Sequence, residues 1–168
     1  MRIENIHISG VAQIENDVSI NNVIIGNGVK IARRCSIYGS PDSILQIGEH
    51  SYIGMNCIIN GWAAQVIIGR HVSVAQNVNI MADSGPNASP LMQQVYPLTK
   101  APVTLGDHCW IGASVIIMPG VTLGRCCVVA ANSFVDQSFP NYSVIGGSPA
   151  RLIKMLEPAQ LKEDMAHD

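Results

Sequence analysis

Aliphatic side chains recur at every sixth position along most of this 168-residue chain. An α-helix repeats every 3.6 residues, so residues six apart do not stay on one stripe of a helix. A short strand followed by a tight turn does return to the same wall after six residues. The positions that carry the period are Ile8, Ile14, Ile20, Ile25, Ile31, Ile37, Ile47, Ile53, Ile59, Ile68, Val74, Ile80, Leu105, Ile111, Ile117, Leu123, Val129 and Val135.

This period predicts a solenoid of triangular coils. Three six-residue units close one coil, and polar or glycine residues such as Asn27-Gly28 occupy the turns, where left-handed backbone angles are tolerated. Stacking at the ~4.8 Å spacing of hydrogen-bonded strands buries aliphatic columns that a single coil would leave exposed. The chain between Ile8 and Phe139 supplies about six such coils.

Two segments break the period, a short one from Tyr38 to Gln46 and a long one from Ala82 to Pro102. The long segment is rich in Pro, Ser, Asn and Ala and is predicted to be a loop; loops of this length in compact repeats are usually functional. We expect residues 1–154 to form one β-helical domain. Residues 155–168 are expected to form a C-terminal tail with a short helix, Glu157–Met165, that covers the open end.

Composition excludes several classes of protein. Aromatic residues make up 5% and charged residues 13% of the chain, so the interior is aliphatic and narrow. The net charge of −2 offers no global basic field for a nucleic acid. No apolar run approaches the ~18 residues of a membrane span, and the first residues lack a signal-peptide hydrophobic region. We therefore expect a cytoplasmic protein with neither a nucleic-acid partner nor a membrane span.

Beyond the repeats, three stretches resemble one enzyme family: LGDHCWIG at 105–112, MPGVTLG at 118–124 and YSVIGGSPAR at 142–151. They are similar to the left-handed β-helix hexapeptide-repeat acyltransferases, in their xenobiotic and galactoside O-acetyltransferase branch. The resemblance implies an all-β, left-handed parallel β-helix. It also implies acyl transfer from acetyl-CoA, without a metal, in a homotrimer whose active sites lie between neighbouring prisms. The expected acceptor is a hydroxyl or amine of a sugar in surface-polysaccharide or nucleotide-sugar metabolism.

The resemblance also implies a CoA site. Trp110 would flank the pantetheine entry, and the backbone amides of Ala113 and Ala131 would bind the pantetheine arm. Arg151 and Lys154 would meet the CoA phosphates through charge-assisted hydrogen bonds. The alternative is that Trp110 packs at a coil edge and that the two cations are simply solvated.

The chain departs from the family pattern in two places. Gln137 stands where relatives often carry a Lys, so one phosphate contact is expected to be missing. Relatives also carry a catalytic His soon after the hexad equivalent to residues 80–83, yet no His occurs between Asn79 and Gly106. The usual base therefore has no counterpart in this chain.

Histidines elsewhere offer a replacement. His50, His71 and His108 hold the same turn position in three coils, so they should form a column along one corner. Because the long loop leaves from another corner, we hypothesise that His71 or His108 of one chain faces Asp83 of the next. The carboxylate would then orient the imidazole as base. The alternative is that these are ordinary turn residues, because His tolerates the local backbone.

The start of the loop holds the remaining candidates. Asp83 could act alone as base only if burial raised its ordinary pKa of ~4. Ser84 as a nucleophile would need an adjacent base, which the sequence does not show. We assign Ser84, Asn87 and Asn77 to the acceptor, with turn formation as the structural alternative.

Two other functions compete with acyl transfer. One is a γ-carbonic-anhydrase-like metalloprotein, which the three histidines suggest, although a straight column of side chains does not converge on a tetrahedral ion. The other is a catalytically degenerate hexapeptide-repeat binding protein, which the missing loop histidine suggests.

Overall fold

The computed structural model describes residues 3–161, and it folds into a three-sided prism of short strands. Labels follow chain order, and the walls are called faces A, B and C. Face A contains β1 (Ile3–Ile8), β3 (Ser19–Ile25), β6 (Leu45–Ile47), β9 (Val66–Ile68), β14 (Val103–Leu105) and β17 (Thr122–Leu123). Face B contains β2 (Gln13–Ile14), β4 (Lys30–Ile31), β7 (Tyr52–Ile53), β10 (Ser73–Val74), β15 (Trp110–Ile111), β18 (Val128–Val129), β20 (Ser143–Gly147) and β21 (Ala150–Met155). Face C contains β5 (Ser36–Tyr38), β8 (Ile58–Asn60), β11 (Asn79–Met81), β16 (Ile116–Ile117) and β19 (Phe134–Val135).

Two long strands, β1 and β3, each connect two faces, and β1 pairs with both halves of β3. The first half of β3 pairs with β5 on face C and its second half pairs with β6 on face A. The chain bends between them at Asn22, whose φ is 53°. Strands within each face are parallel, apart from the antiparallel pair of β20 and β21.

The core consists of the predicted aliphatic columns. On face C, for example, Ile20, Ile37 and Ile59 are directly in register, and each is at most 1% exposed. The same register continues through Ile80 to Ile117. The parallel β-helix and the six-residue period that predicted it are therefore confirmed.

The corners use left-handed backbone angles, as expected for turns this tight. His50, His71 and His108 have φ values of 56°, 54° and 60° at the corner between faces A and B. Asn56 and Asn77 have φ values of 60° and 59° at the corner between faces B and C. Asn and His are among the non-glycine residues that adopt this conformation most readily.

Three segments project from the corner between faces C and A. Two were predicted, and the third, residues 61–65, was missed because it adds three residues between Ile59 and Ile68. The long projection is more ordered than a loop: β12 (Asp83–Ser84) pairs antiparallel with β13 (Thr99–Lys100), and the helix α1 (Pro90–Gln93) lies between them. We call residues 82–102 the arm.

The C-terminal end differs from the prediction. The strand β21 turns back and pairs with β20, so a strand satisfies the edge that a helix was expected to cover. Pro158–Gln160 form a single turn of 3-10 helix, followed by a bend at Leu161. The predicted helix Glu157–Met165 is therefore not formed up to Leu161, and its remainder lies outside the described residues. Within residues 3–161, no helix has the length and apolar character that a membrane crossing requires.

Candidate active site

Face B brings together residues predicted to bind CoA. Trp110 is aligned with Val128, Val144 and Lys154 in one register row across β15, β18, β20 and β21. Three strand spacings separate Trp110 from Lys154, or about 14 Å. The indole is 60% exposed on the outer surface of this face. A flat aromatic surface and a cation thus lie on one wall, at a spacing that suits an extended ligand.

Two small residues lie at the adjoining corner. Ala113 and Ala131 occupy successive turns after face B, and the amide of Asn132 donates to the carbonyl of Ala113 at 2.9 Å. Ala131 is exposed and Ala113 is half-buried. Their lack of a long side chain leaves the backbone of this corner open to a ligand.

Arg151 is held near the same end of the prism. Its Nη1 donates to the carbonyl of Ala150 at 2.7 Å and lies 3.8 Å from Oδ1 of Asp136. Both side chains of this ion pair are substantially exposed, so the pair is weak and the guanidinium can exchange partners. Gln137, beside Asp136, is exposed and adds no positive charge.

Asp83 is positioned by a side chain on the neighbouring coil. Nδ2 of Asn60 donates to Oδ1 of Asp83 at 3.1 Å, while Oδ1 of Asn60 accepts from the amide of Trp62 at 3.0 Å. Both ends of the Asn60 amide are thus fixed, and they orient the half-buried carboxylate. Burial and the Asp83 carboxylate together raise the pKa of Tyr38, which is in register with Asn60 on face C.

The arm continues from Asp83 as an antiparallel pair of strands. Lys100 lies opposite Asp83 and Thr99 opposite Ser84 in the antiparallel pair. Asn87 is exposed further along the arm, where its carbonyl accepts from Nε2 of Gln93 at 3.4 Å. Sequence reasoning missed Asn60 and Lys100, because contacts across coils depend on the exact length of the corner segments.

The three histidines form the predicted column. The rings of His50 and His71 stack with centroids 5.1 Å apart, and those of His71 and His108 stack at 5.0 Å. Gly28 precedes them in the column, where a Cβ would collide with the His50 ring. Partial burial and then the neighbouring His108, His50 and Arg70 charges lower the pKa of His71.

Asn77 belongs to a second column. Nε of Arg34 donates to Oδ1 of Asn56 at 3.0 Å, and Nδ2 of Asn56 donates to Oδ1 of Asn77 at 3.1 Å. This ladder is the structural alternative for Asn77, and it stands at the corner between faces B and C, away from the arm.

A single chain separates the candidate groups. Asp83 lies at the corner between faces C and A, whereas His71 and His108 lie at the corner between faces A and B. The row from Trp110 to Lys154 lies on face B. Because face A separates the carboxylate from the imidazoles, these groups can form one site only between two copies of the chain.

The histidine column is not built like a metal centre. Stacked imidazoles turn their faces toward one another, while metal ligands use lone pairs in the ring plane. Across residues 3–161, no group of three or more His, Cys, Asp or Glu side chains could hold a metal ion.

Comparison with known proteins identifies the family. The model described as "Hexapeptide repeat of succinyl-transferase" matches residues 102–137. The Escherichia coli (strain K12) protein named as lipopolysaccharide biosynthesis O-acetyl transferase WbbJ is 32% identical over 154 residues, which cover 84% of this chain and 74% of that protein.

The chain belongs to the hexapeptide-repeat acyltransferase family. Galactoside O-acetyltransferase of Escherichia coli (strain K12) is 34% identical over 119 residues, or 70% of this chain and 57% of that enzyme. This chain thus spans little more than half the length of that relative. The structure of AntD, an N-acyltransferase from Bacillus cereus in complex with dTDP and 3-hydroxybutyryl-CoA, superposes with a TM-score of 0.80 at 25% identity, covering 91% of this chain and 85% of AntD.

Proposed function

We propose that this chain is a cytoplasmic, CoA-dependent acyltransferase that moves an acetyl group from acetyl-CoA to a hydroxyl of a saccharide. The observation that carries the proposal is the row on face B, where Trp110 and Lys154 align across four strands. It offers a flat surface and a cation to an extended thioester carrier. The relatives named for acetyl transfer to a galactoside and in lipopolysaccharide synthesis support a sugar acceptor.

The CoA site in this proposal uses five residues of one chain. Trp110 flanks the pantetheine, the backbone amides of Ala113 and Ala131 bind its amide groups, and Arg151 and Lys154 bind the phosphates. Both cations are exposed and lie on the same strand, β21. Such charge-assisted contacts are roughly twice as strong as neutral hydrogen bonds.

The working unit in this proposal is a homotrimer, with each site formed by two neighbouring chains. The arm supports it, since Leu91, Val95 and Tyr96 are 71%, 66% and 63% exposed and α1 buries none of its residues. An apolar surface of this kind on a projecting element is typical of a protein interface. A second copy would cover it and would bring Asp83 beside face B of the first.

The chemistry requires transfer of one proton and one acetyl group. The acceptor oxygen attacks the thioester carbonyl, and a base removes its proton as the C–O bond forms. The C–S bond then breaks, and the CoA sulfur leaves with a proton. In our proposal His71 or His108 of one chain is the base, and Asp83 of the next chain orients the imidazole. Ser84 and Asn87 of the arm would contact the acceptor.

A coupled assay tests the proposal. Purified protein is incubated with acetyl-CoA and a panel of saccharides, and the free thiol of released CoA is measured alongside the mass of the acetylated sugar. We expect saccharide-dependent release with a mass gain of one acetyl group. Tight CoA binding without turnover for any saccharide would instead favour the degenerate binding protein.

A further inference from the structure

A concave surface lies beside Asp83, on the side of the prism away from the row that joins Trp110 to Lys154. It is a groove of about 840 Å³ at the corner between faces C and A. Its floor is formed by Ile24 and Gln46 of face A, and its walls by the two short projecting segments and by Lys100 of the arm. This volume lies within the range of small-molecule sites in proteins. We call it the corner groove.

An exposed aromatic ring dominates the corner groove. The Trp62 side chain is 55% exposed although its backbone is fixed by the hydrogen bond from its amide to Asn60. Core packing does not explain a large ring left open to water in a chain with so few aromatic residues. The negative face of an indole attracts polarised C–H bonds, which one side of a pyranose ring presents.

The polar groups of the corner groove suit hydroxyls. The amides of Gln46 and Gln65 line it, and Nε2 of Gln65 is held by the carbonyl of Ile44 at 3.3 Å. Ser43 also lines the corner groove, although its Oγ is enclosed and has no hydrogen-bond partner in the described part of the chain. A ligand hydroxyl in the corner groove would therefore pair with the two glutamine amides and not with the enclosed Ser43 hydroxyl.

The charge of the corner groove distinguishes two classes of ligand. Lys100 and Asp42 both line it, so their formal charges cancel. A nucleoside diphosphate would bring two or more negative charges toward a carboxylate with one lysine to balance them. A neutral saccharide can donate to Asp42 and accept from Lys100 without such a cost.

The corner groove adjoins Asp83. Lys100 lies opposite Asp83 in the arm, and Asn60 links the Asp83 carboxylate to the backbone of Trp62. A sugar whose hydroxyl is acetylated near Asp83 would therefore have its next sugar residue over the indole. We propose that the corner groove binds a neutral sugar residue adjacent to the one acetylated, so that the acceptor is an oligosaccharide and not a monosaccharide. This inference rests on the acyl transfer proposed above.

Binding and kinetics test this inference separately. Without acetyl-CoA, we would titrate the full chain with galactose, glucose, galactotriose, maltotriose and dTDP while recording tryptophan fluorescence and calorimetric heat. We expect at least one trisaccharide to bind about tenfold tighter than its monosaccharide. Trp62→Ala should remove that advantage, and Trp62→Phe should keep most of it. In turnover, Trp62→Ala should raise KM for the trisaccharide about tenfold and leave KM for acetyl-CoA unchanged.

The outcomes separate the two proposals. Trisaccharide binding that needs Trp62 but is never followed by acetylation would sustain the groove and overturn the acyl transfer. Turnover in which trisaccharides bring no advantage, or in which Trp62→Ala has no effect, would overturn the groove alone. Tighter binding of dTDP than of any saccharide, or no binding of any probe at millimolar concentration, would also contradict it.

Discussion

The imidazole rings of His71 and His108 lie 5.0 Å apart and are nearly parallel, with an interplanar angle of 3°. Protonating one ring disfavours a charge on the other, because the rings face each other at close range. This repulsion acts with burial to lower the pKa of His71 from its ordinary 6.5. A neutral imidazole near pH 7 can accept a proton, which is the property that the proposed base requires.

Removing the His108 ring should raise the pKa of His71. In His108→Asn, we expect the pKa of His71 to move up toward 6.5, because a positive neighbour is lost. Asparagine suits the backbone, since Asn77 and Asn132 occupy equivalent corner turns with φ of 59°. The pKa can be followed from the ring-proton shifts of His71 by NMR. In the control variant His7→Asn, which lies outside the column, the pKa of His71 should not move; a His71 pKa unaffected by His108→Asn would contradict the account.

The lowered pKa of His71 also predicts how stability depends on pH. Between the lowered pKa of His71 and 6.5, the unfolded chain binds more protons than the folded one, so the free energy of unfolding rises with pH. The contribution of His71 is complete above pH 6.5 and is lost as the pH falls through its folded-state pKa. Thermal melts should therefore show a smaller loss on acidification for His71→Asn than for the wild type. An identical pH dependence in the two proteins would show that this histidine is not perturbed.

The cations of β21 should determine CoA affinity. We expect Arg151→Ala combined with Lys154→Ala to weaken CoA binding by ~2 kcal/mol, about a 30-fold rise in Kd by calorimetry, because two charge-assisted contacts are lost. Gln137→Lys should act in the opposite direction by adding a cation near the same end. Unchanged affinity in the double variant would refute this placement of CoA.

The period revealed the fold because it reports directly on which side chains face inward. Register then placed the histidine column without further information, whereas the alignment of Lys154 with Trp110 depends on the pairing of β21, which the sequence did not predict. The segment 61–65 was missed because its three added residues fall between two intact runs of the six-residue period, and the hydrogen bond from Asn60 to Asp83 was missed as well. The strand β21 carries no hexad, so the sequence did not predict that it pairs with β20. The structure shows this pairing as a hairpin that turns after Gly147.

The contact between Asn60 and Asp83 predicts a graded loss of activity. Asp83→Asn should lower kcat about 100-fold if the carboxylate orients the base, because it removes the charge. Asn60 is a positioning residue, so Asn60→Ala should lower kcat about tenfold and leave KM for acetyl-CoA unchanged. Asn79→Ala, on the neighbouring strand of face C, serves as the control. If Asp83→Asn kept the wild-type kcat, the start of the arm would have only a structural role.

Complementation between two inactive chains tests most directly whether each site is shared by neighbours. Chains carrying Asp83→Asn are co-assembled with chains carrying Arg151→Ala and Lys154→Ala, and acetyl transfer is measured at acetyl-CoA concentrations below KM. In a mixed trimer, one interface of the three joins an intact Asp83 to an intact pair of cations. The account predicts recovered activity of up to a third of the wild-type value per mixed trimer. Activity no greater than that of the two parent variants would contradict it, because all the required groups would then act within one chain.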